Sequence, residues 1–344
     1  MRAVEQAILH ADWLRRSPAA AGGRGGHKEW MHFCVYAPAV DVLVNFSVLD
    51  DVRPTRARHD ELARVTLLVR DGGWVGEVTR YPREQVQVEG GRVAARFGPN
   101  AVRFADGRYA VAARFRDRPI AIDVTLRPVT MPSIVNNVRV GDGPPINWLV
   151  VPRLVASGRI TIADRVHPVD GALAYHDHNW GHFGWGRDFA WEWGYGLPDD
   201  PANPWSLVFV RLSDRAHSRC MMQGVFLWNG PREQCVFRDR DLRVRHVGFL
   251  RPARICKVPA VMALAHPEHA TAIPRELRID GAVDGNVIEA TFRGAEVAQV
   301  IVPNDRDFGV TVINEVSGRL AVRGVVRGEQ FAIDGRAVFE FLGA

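Results

Sequence analysis

Apolar residues near the start of the chain recur at helical spacing. Val4, Ala7, Ile8, Ala11 and Leu14 predict a short amphipathic helix over residues 4–16. The pattern then stops, and Ser17-Pro18-Ala19-Ala20-Ala21-Gly22-Gly23-Arg24-Gly25-Gly26 reads as a flexible linker. From Glu29 onward the period becomes two. Alternating runs over Asp41–Leu49, Arg64–Arg70, Arg108–Arg116 and Ile120–Arg127 predict strands. Turn signals separate them: Asp71-Gly72-Gly73, Glu89-Gly90-Gly91, Ala105-Asp106-Gly107 and Gly141-Asp142-Gly143. The second half continues alike, with turns expected at Ala282-Val283-Asp284-Gly285 and Ala332-Ile333-Asp334-Gly335. Short strands at this spacing, with almost no helical period between them, predict an all-β chain of antiparallel barrels or sandwiches.

The strand pattern repeats once. A shift of 163 positions lays Glu29-Trp30 on Glu192-Trp193, Pro38-Ala39 on Pro201-Ala202, Phe46 on Phe209, Leu49 on Leu212 and Asp51 on Asp214. Seven matches in register within one inferred hairpin point to a duplicated β domain. The expected organisation is a helix and linker over 1–26, a first barrel over 27–188 and a second over 189–344.

One stretch departs from this plain alternation. Between Tyr175 and Trp193 the chain gathers His176, Asp177, His178, Asn179, Trp180, His182, Trp185, Trp191 and Glu192. Aromatic rings beside His and Asp suit a site that holds an apolar ligand and aims a few polar groups at it. If residues 172–180 form a strand, Tyr175, Asp177 and Asn179 share one face, and His176, His178 and Trp180 share the other. Three readings stay open. The rings could fill a seam between barrels, with Asp177 accepting backbone hydrogen bonds. His176, His178 and His182 could form part of a metal site, although no matching distant ligand stands out and no metal is expected. In the preferred reading, Asp177 is a carboxylic acid in a poorly solvated setting, with Tyr175 and a neighbouring His holding its proton in place.

Composition narrows the partners. The 344 residues carry a net charge of +5, but Lys28 and Lys257 are the only lysines and the arginines are interleaved with acids. With no clustered basic face or known module, nucleic-acid binding is not expected, and a weak contact with anionic membrane surfaces stays open. Cys34, Cys220, Cys235 and Cys256 have no paired spacing and read as reduced thiols. The longest apolar run, Val258–Ala265, contains Pro259 and is too short to span a bilayer. The first residues lack a secretory layout, so the expected setting is cytoplasmic, with a peripheral place at the inner membrane left open. No G-x-S-x-G, P-loop, H-E-x-x-H or dinucleotide turn occurs, no cofactor is expected, and Gly184-Trp185-Gly186 reads as a bend between barrels.

The segment Gly171-Ala172-Leu173-Ala174-Tyr175-His176-Asp177-His178-Asn179-Trp180-Gly181 resembles the signature of the hydroxyneurosporene synthase (carotenoid 1,2-hydratase) family. That family is related to AttH-like proteins and, more distantly, to fungal pericyclases that close decalin rings. His27-Lys28-Glu29-Trp30 is similar to the family's first-strand motif, and Trp191-Glu192-Trp193 to the strand opening its second barrel. The resemblance implies two consecutive lipocalin-like barrels with a ligand pocket at or near their interface. One departure is visible: the His expected just before Trp148 is Asn147 here.

The resemblance and the acid–base reading together imply a cofactor-independent enzyme for an apolar polyene, terpenoid or polyketide substrate. The expected reaction is acid-catalysed hydration or isomerisation of a C=C bond. Asp177, Tyr175 and His178 are the expected catalytic residues; Trp148, Asn147, Asn179, Trp180, Trp193, Glu192 and Trp30 are the expected binding residues. A template cyclase and a non-catalytic carrier of an apolar ligand remain alternatives.

Overall fold

A computed structural model describes residues 2–15, 27–50, 63–139, 145–183, 189–214, 216–265, 273–303 and 310–343. The chain divides into two compact units, Met1–Gly72 with Gly76–Phe183, and Gly73–Val75 with Gly184–Ala344. The expected linker at 17–26, the turn at Gly141–Gly143 and the bend at Gly184–Gly186 lie outside the described residues.

The strands are β1 His27–Tyr36, β2 Asp41–Asp50, β3 Ala63–Arg70, β4 Trp74–Tyr81, β5 Val86–Val88, β6 Ala94–Phe97, β7 Asn100–Ala105, β8 Arg108–Arg114, β9 Ile120–Pro128, β10 Ser133–Val138, β11 Ile146–Ile162 and β12 Arg165–His182. They continue as β13 Ala190–Pro198, β14 Trp205–Ser213, β15 Cys220–Asn229, β16 Arg232–Arg238, β17 Leu242–Phe249, β18 Ile255–Val258, β19 Pro274–Val283, β20 Asn286–Pro303, β21 Val310–Val326 and β22 Glu329–Gly343. The helices are α1 Arg2–Ala11 and the single turn α2 Met262–Ala265. The first sheet runs β4-β3-β2-β1-β12-β11-β9-β8-β7-β6-β5, with β10 on β11. The second runs β16-β15-β14-β13-β22-β21-β20-β19-β17, with β18 parallel to β20. Both are otherwise antiparallel, and one is nearly closed into a barrel.

The duplicated pattern has a structural counterpart. In β1–β2, Glu29 faces Val48 and Trp30 faces Ser47; in β13–β14, Glu192 faces Arg211 and Trp193 faces Val210. Both pairings obey the shift of 163. The closing strands correspond too, because Trp30 faces Asn179 on β12 and Trp193 faces Glu340 on β22.

Two local expectations need correction. The helix ends at Ala11 rather than residue 16, and the amide of Asp12 makes the last helical bond, 2.9 Å to Ile8 O. Tertiary contacts then draw Asp12 and Leu14 into the core. Residues 332–335 form no turn but lie within β22. There a Cβ on Gly335 would fall 1.8 Å from Leu197 O, so this glycine serves close strand approach. The actual turn is at Arg327-Gly328, with φ of 53° and 81°. Ala105–Arg108 and Val283–Asn286 turn as expected, with positive φ at Asp106, Gly107, Asp284 and Gly285.

Candidate active site

Strand β12 carries the chemistry of the first unit on both of its faces. Pairing with β1 sets Trp30 opposite Asn179, His32 opposite Asp177 and Cys34 opposite Tyr175. Pairing with β11 sets Trp148 opposite Asn179 and Val150 opposite Asp177. Directly opposed residues share a sheet face. Asp177 therefore lies among Tyr175, Asn179, Trp30, His32 and Trp148, and all six are buried. Asn179 Nδ2 donates to Asp177 Oδ1 at 2.5 Å. The rings of His32 and Tyr175 meet edge-on at 6.2 Å, and Trp30 meets Phe183 at 5.9 Å. Burial, reinforced by the nearby His176, pushes the His32 imidazole down to about 3. His32 is thus neutral at ordinary pH.

The opposite face of β12 belongs to the N-terminal segment. His178 donates from Nδ1 to Asp12 Oδ1 at 2.8 Å and from Nε2 to Glu29 Oε1 at 2.9 Å. His176 Nε2 lies 2.9 Å from Asp12 Oδ2, its Nδ1 lies 2.9 Å from His32 O, and the Tyr109 hydroxyl donates to Asp12. The side chains of Asp12, Glu29, His176 and His178 are inaccessible to solvent. Burial opposes charge on each of Asp12, Glu29 and His178. The mutual hydrogen bonds and Coulomb attraction win, holding Asp12 well below the usual carboxylate range, Glu29 near 2, and His178 above its ordinary value. Arg15 completes the network: its backbone amide donates to Glu29 Oε2 at 2.8 Å, and its guanidinium lies 3.6 Å from the Trp180 ring centroid.

The expected site residues therefore separate. Tyr175, Asp177, Asn179, Trp148 and Trp30 come together on one face. His178 and Trp180 lie on the other, and both ring nitrogens of His178 meet Asp12 and Glu29 rather than Asp177. Asn147 also faces that way, donating from Nδ2 to Trp180 O at 3.2 Å and accepting from the Asn137 amide at 2.7 Å. Glu192 and Trp193 belong to the second unit. No group of three or more His, Cys, Asp or Glu side chains among the described residues is arranged to hold a metal ion. His176 and His178 meet carboxylates directly, and His182 is exposed at the end of β12.

In the second unit, Glu192 accepts from Arg211 Nη1 at 2.8 Å and from His246 Nε2 at 3.0 Å. On the opposite face of the same sheet, Glu315 faces Glu340 across β21–β22 and Trp193 faces Glu340 across β13–β22. Burial pushes the Glu340 carboxyl up to about 7, against the hydrogen bonds it makes with Glu315 and Trp191. The sequence reading missed His32, Asp12, Glu315 and Glu340. For His32 a signal was present, since the alternation of β1 puts it on the face of Trp30. The others depend on pairings between distant segments.

No protein-family model matches the chain, and no curated protein matches it. Solved structures do. An AttH-type protein (NE1406) from Nitrosomonas europaea is 15% identical, with a TM-score of 0.67 over 95% of this chain and 96% of that one. Kievitone hydratase from Nectria haematococca is 12% identical, with a TM-score of 0.58 over 93% and 89%. CghA is 13% identical, with a TM-score of 0.58 over 92% and 88%. The likeness is one of fold: two successive lipocalin-like β-barrels.

Proposed function

We propose that the chain is a hydratase-type enzyme that protonates a C=C bond of an apolar polyene, terpenoid or polyketide, with Asp177 as the acid. The observation that carries this reading is the buried face on which Asp177 meets a neutral His32 amid Tyr175, Trp30 and Trp148. The fold shared with a protein named kievitone hydratase supports the reaction class. Asn179 donates to one carboxyl oxygen of Asp177 and fixes the orientation of the group. The alkene π pair takes the Asp177 proton, so a C–H bond forms, the O–H bond breaks and a tertiary cation faces the aromatic rings. Water adds its oxygen to the cation and returns a proton to the Asp177 carboxylate. Neutral His32, opposite Asp177, orients that water. No redox group enters this balance.

The test is turnover of a panel of trisubstituted acyclic polyenes in D2O, read by mass spectrometry. Wild type is expected to yield a tertiary alcohol with deuterium on the adjacent carbon. Asp177→Asn should lower that rate about a hundredfold or more while substrate affinity and melting temperature stay near wild type. Substrate bound but unchanged, or converted without deuterium on carbon, would overturn the reading in favour of a carrier or a cyclisation template. Wild-type turnover in Asp177→Asn would remove the acid.

A further inference from the structure

Residues 242–265 of the second unit carry Arg243, Arg245, Arg251, Arg254 and Lys257 and no acid. These five positive charges equal the +5 of the whole chain, so the remainder is neutral on balance. The same stretch holds Phe249, Val261 and Leu264, which are 66%, 62% and 86% exposed. The other large exposed apolar residues among those described, Leu9, Ile134, Val166 and Val287, lie singly and call for no partner. β18 runs parallel to β20, and so does β17, because β19 pairs antiparallel with both β17 and β20. The chain leaving β17 at Phe249 and the chain leaving β18 at Val258 therefore head toward the same end of the sheet. There the Leu264 amide bonds Val261 O at 3.0 Å, and this i, i+3 turn sets the two side chains on one side. Between the apolar tips come Arg251 and Arg254, both exposed, with Arg254 reaching Glu296 at only 3.9 Å. Arg275 adds a third guanidinium: Pro274 faces Phe249, and a Cβ on Gly248 would fall 3.4 Å from Arg275 Nη2.

We propose that the strip from Phe249 to Leu264 docks the chain on an anionic lipid bilayer. Phe249, Val261 and Leu264 enter the boundary between headgroups and acyl chains, and Arg251, Arg254 and Arg275 meet the lipid phosphates. Apolar tips beside basic residues are what an interfacial segment needs, since buried apolar area and attraction to anionic lipid add. A neutral bilayer would accept the tips and leave the guanidinium groups without a counter-charge. Val261 and Leu264 are aliphatic and offer no ring on which a base could stack, which favours lipid over a nucleic acid. The assignment goes beyond the chemistry at Asp177 and does not rest on it, because lipid binding is read without turnover. An enzyme held in this way meets an apolar substrate where that substrate dissolves.

The test is sedimentation of the full chain with sucrose-loaded vesicles, made of phosphatidylcholine alone or of equimolar phosphatidylglycerol and phosphatidylcholine. Binding to the anionic vesicles is expected to be at least about tenfold tighter and to weaken as salt rises from about 0.1 M to about 0.5 M. Phe249→Ser/Leu264→Ser should weaken it about tenfold, because the apolar area that enters the bilayer is lost. Arg251→Gln/Arg254→Gln should also weaken it about tenfold. Val287→Ser removes an exposed apolar side chain at the opposite end of β20 and should change nothing. All five positions are exposed, so folding is preserved, and circular dichroism checks it. Equal binding to the two kinds of vesicle, binding to neither, or undiminished affinity in either double variant would each overturn the proposal. Affinity kept by the serine pair and lost by the glutamine pair would assign the surface to a polyanion such as nucleic acid instead. A loss in Val287→Ser as large as that in the serine pair would also overturn it, since the contact would then have no fixed place on the molecule.

Discussion

Glu29 and Glu192 stand at the same place in two strands that pair alike, yet their surroundings differ. In the first unit the closing strand offers His178 next to Glu29, and Asp12 arrives from beyond α1 to bridge His178 and His176. At the matching positions of the second unit the closing strand has Phe339 and Ala337, because Gly194 and Gly196 face them as Met31 and Phe33 face His178 and His176. A Cβ on Gly194 would fall 2.4 Å from the Phe339 ring, which stacks on Phe292 at 4.2 Å. One unit fills this layer with ions and the other with rings. Glu192 consequently turns to Arg211 and His246, which retain contact with solvent. The duplicated scaffold fixes where side chains can sit, and the chemistry placed there is free to diverge.

The sharpest break in the comparison should come from removing each unit's buried anion. Asp12→Ala removes the buried anion that His176, His178 and the Tyr109 hydroxyl share and is expected to cost about 3–5 kcal/mol of stability. Glu192→Ala should cost less, about 1–2 kcal/mol, because Arg211 and His246 can be hydrated. Denaturant midpoints measure both. Equal costs would mean that the ionic layer of the first unit is not special.

Next in size is catalysis. Each unit has a carboxyl group on the sheet face opposite Glu29 or Glu192, Asp177 in one and Glu340 in the other. The proposed mechanism expects Asp177→Asn to lose at least about tenfold more turnover than Glu340→Gln under the D2O assay. The reverse order would move the acid to the second unit.

Much of this contrast was within reach of the sequence, but unevenly. Alternation along β12 correctly separates Tyr175, Asp177 and Asn179 from His176, His178 and Trp180, because side-chain direction along a strand is local. The 163-residue shift finds the matching hairpins for the same reason. The helix end was misjudged because Leu14 continues the helical period, whereas Asp12 is claimed by histidines 164 and 166 residues away. Glu315 and Glu340 lie in unremarkable alternating strands, and only their cross-strand register makes them a pair. Glu192 meets Arg211 and His246, partners 19 and 54 residues away that no local pattern announces.

Between pH 4.5 and 6.5 the pH dependence of stability should differ in sign between His32 of the first unit and Glu340 of the second. Glu29 is held down from its ordinary 4.5 to about 2, so its contribution is complete above pH 4.5 and is lost as pH falls toward 2. Asp12 acts in the same sense. His178 is raised, so its contribution is complete below about 6.5 and fades as pH rises past its folded value. Glu340 is raised to about 7, so the folded state holds its proton longer than the unfolded chain and stability falls as pH climbs from 4.5 to 7. Between pH 4.5 and 6.5 Glu340 gives a falling slope of up to about 1.4 kcal/mol per pH unit, and His32, lowered from 6.5 to about 3, gives a rising slope of similar size that offsets it. Glu340→Gln should therefore turn a nearly flat window into a rising one and leave the acid limb unchanged in a series of urea titrations. A window unchanged by the substitution would place the extra proton elsewhere.

The smallest effect tests likeness rather than difference. Asn147 faces Trp180 on β12, and Asn314 faces Phe341 on β22, at matching places in the two units. Asn147 Nδ2 donates to Trp180 O at 3.2 Å, and Asn314 Nδ2 donates to Phe341 O at 3.0 Å. Each amide oxygen also accepts, from the Asn137 backbone at 2.7 Å in the first case and from Gln299 Nε2 at 2.8 Å in the second. Replacing either by Ala removes the same pair of bonds, so both should destabilise by about 1 kcal/mol. Asn314→Ala should cost somewhat more. Its partner Gln299 is fully buried and cannot turn to water, whereas the amide of Asn137 is in an exposed stretch. Melting temperatures of the two single variants and the double variant decide the matter. Costs of similar size that add in the double variant are expected for equivalent clamps in separate units. A neutral Asn147→Ala beside a costly Asn314→Ala would mean that the first unit has kept the geometry of the clamp and lost its energetic role.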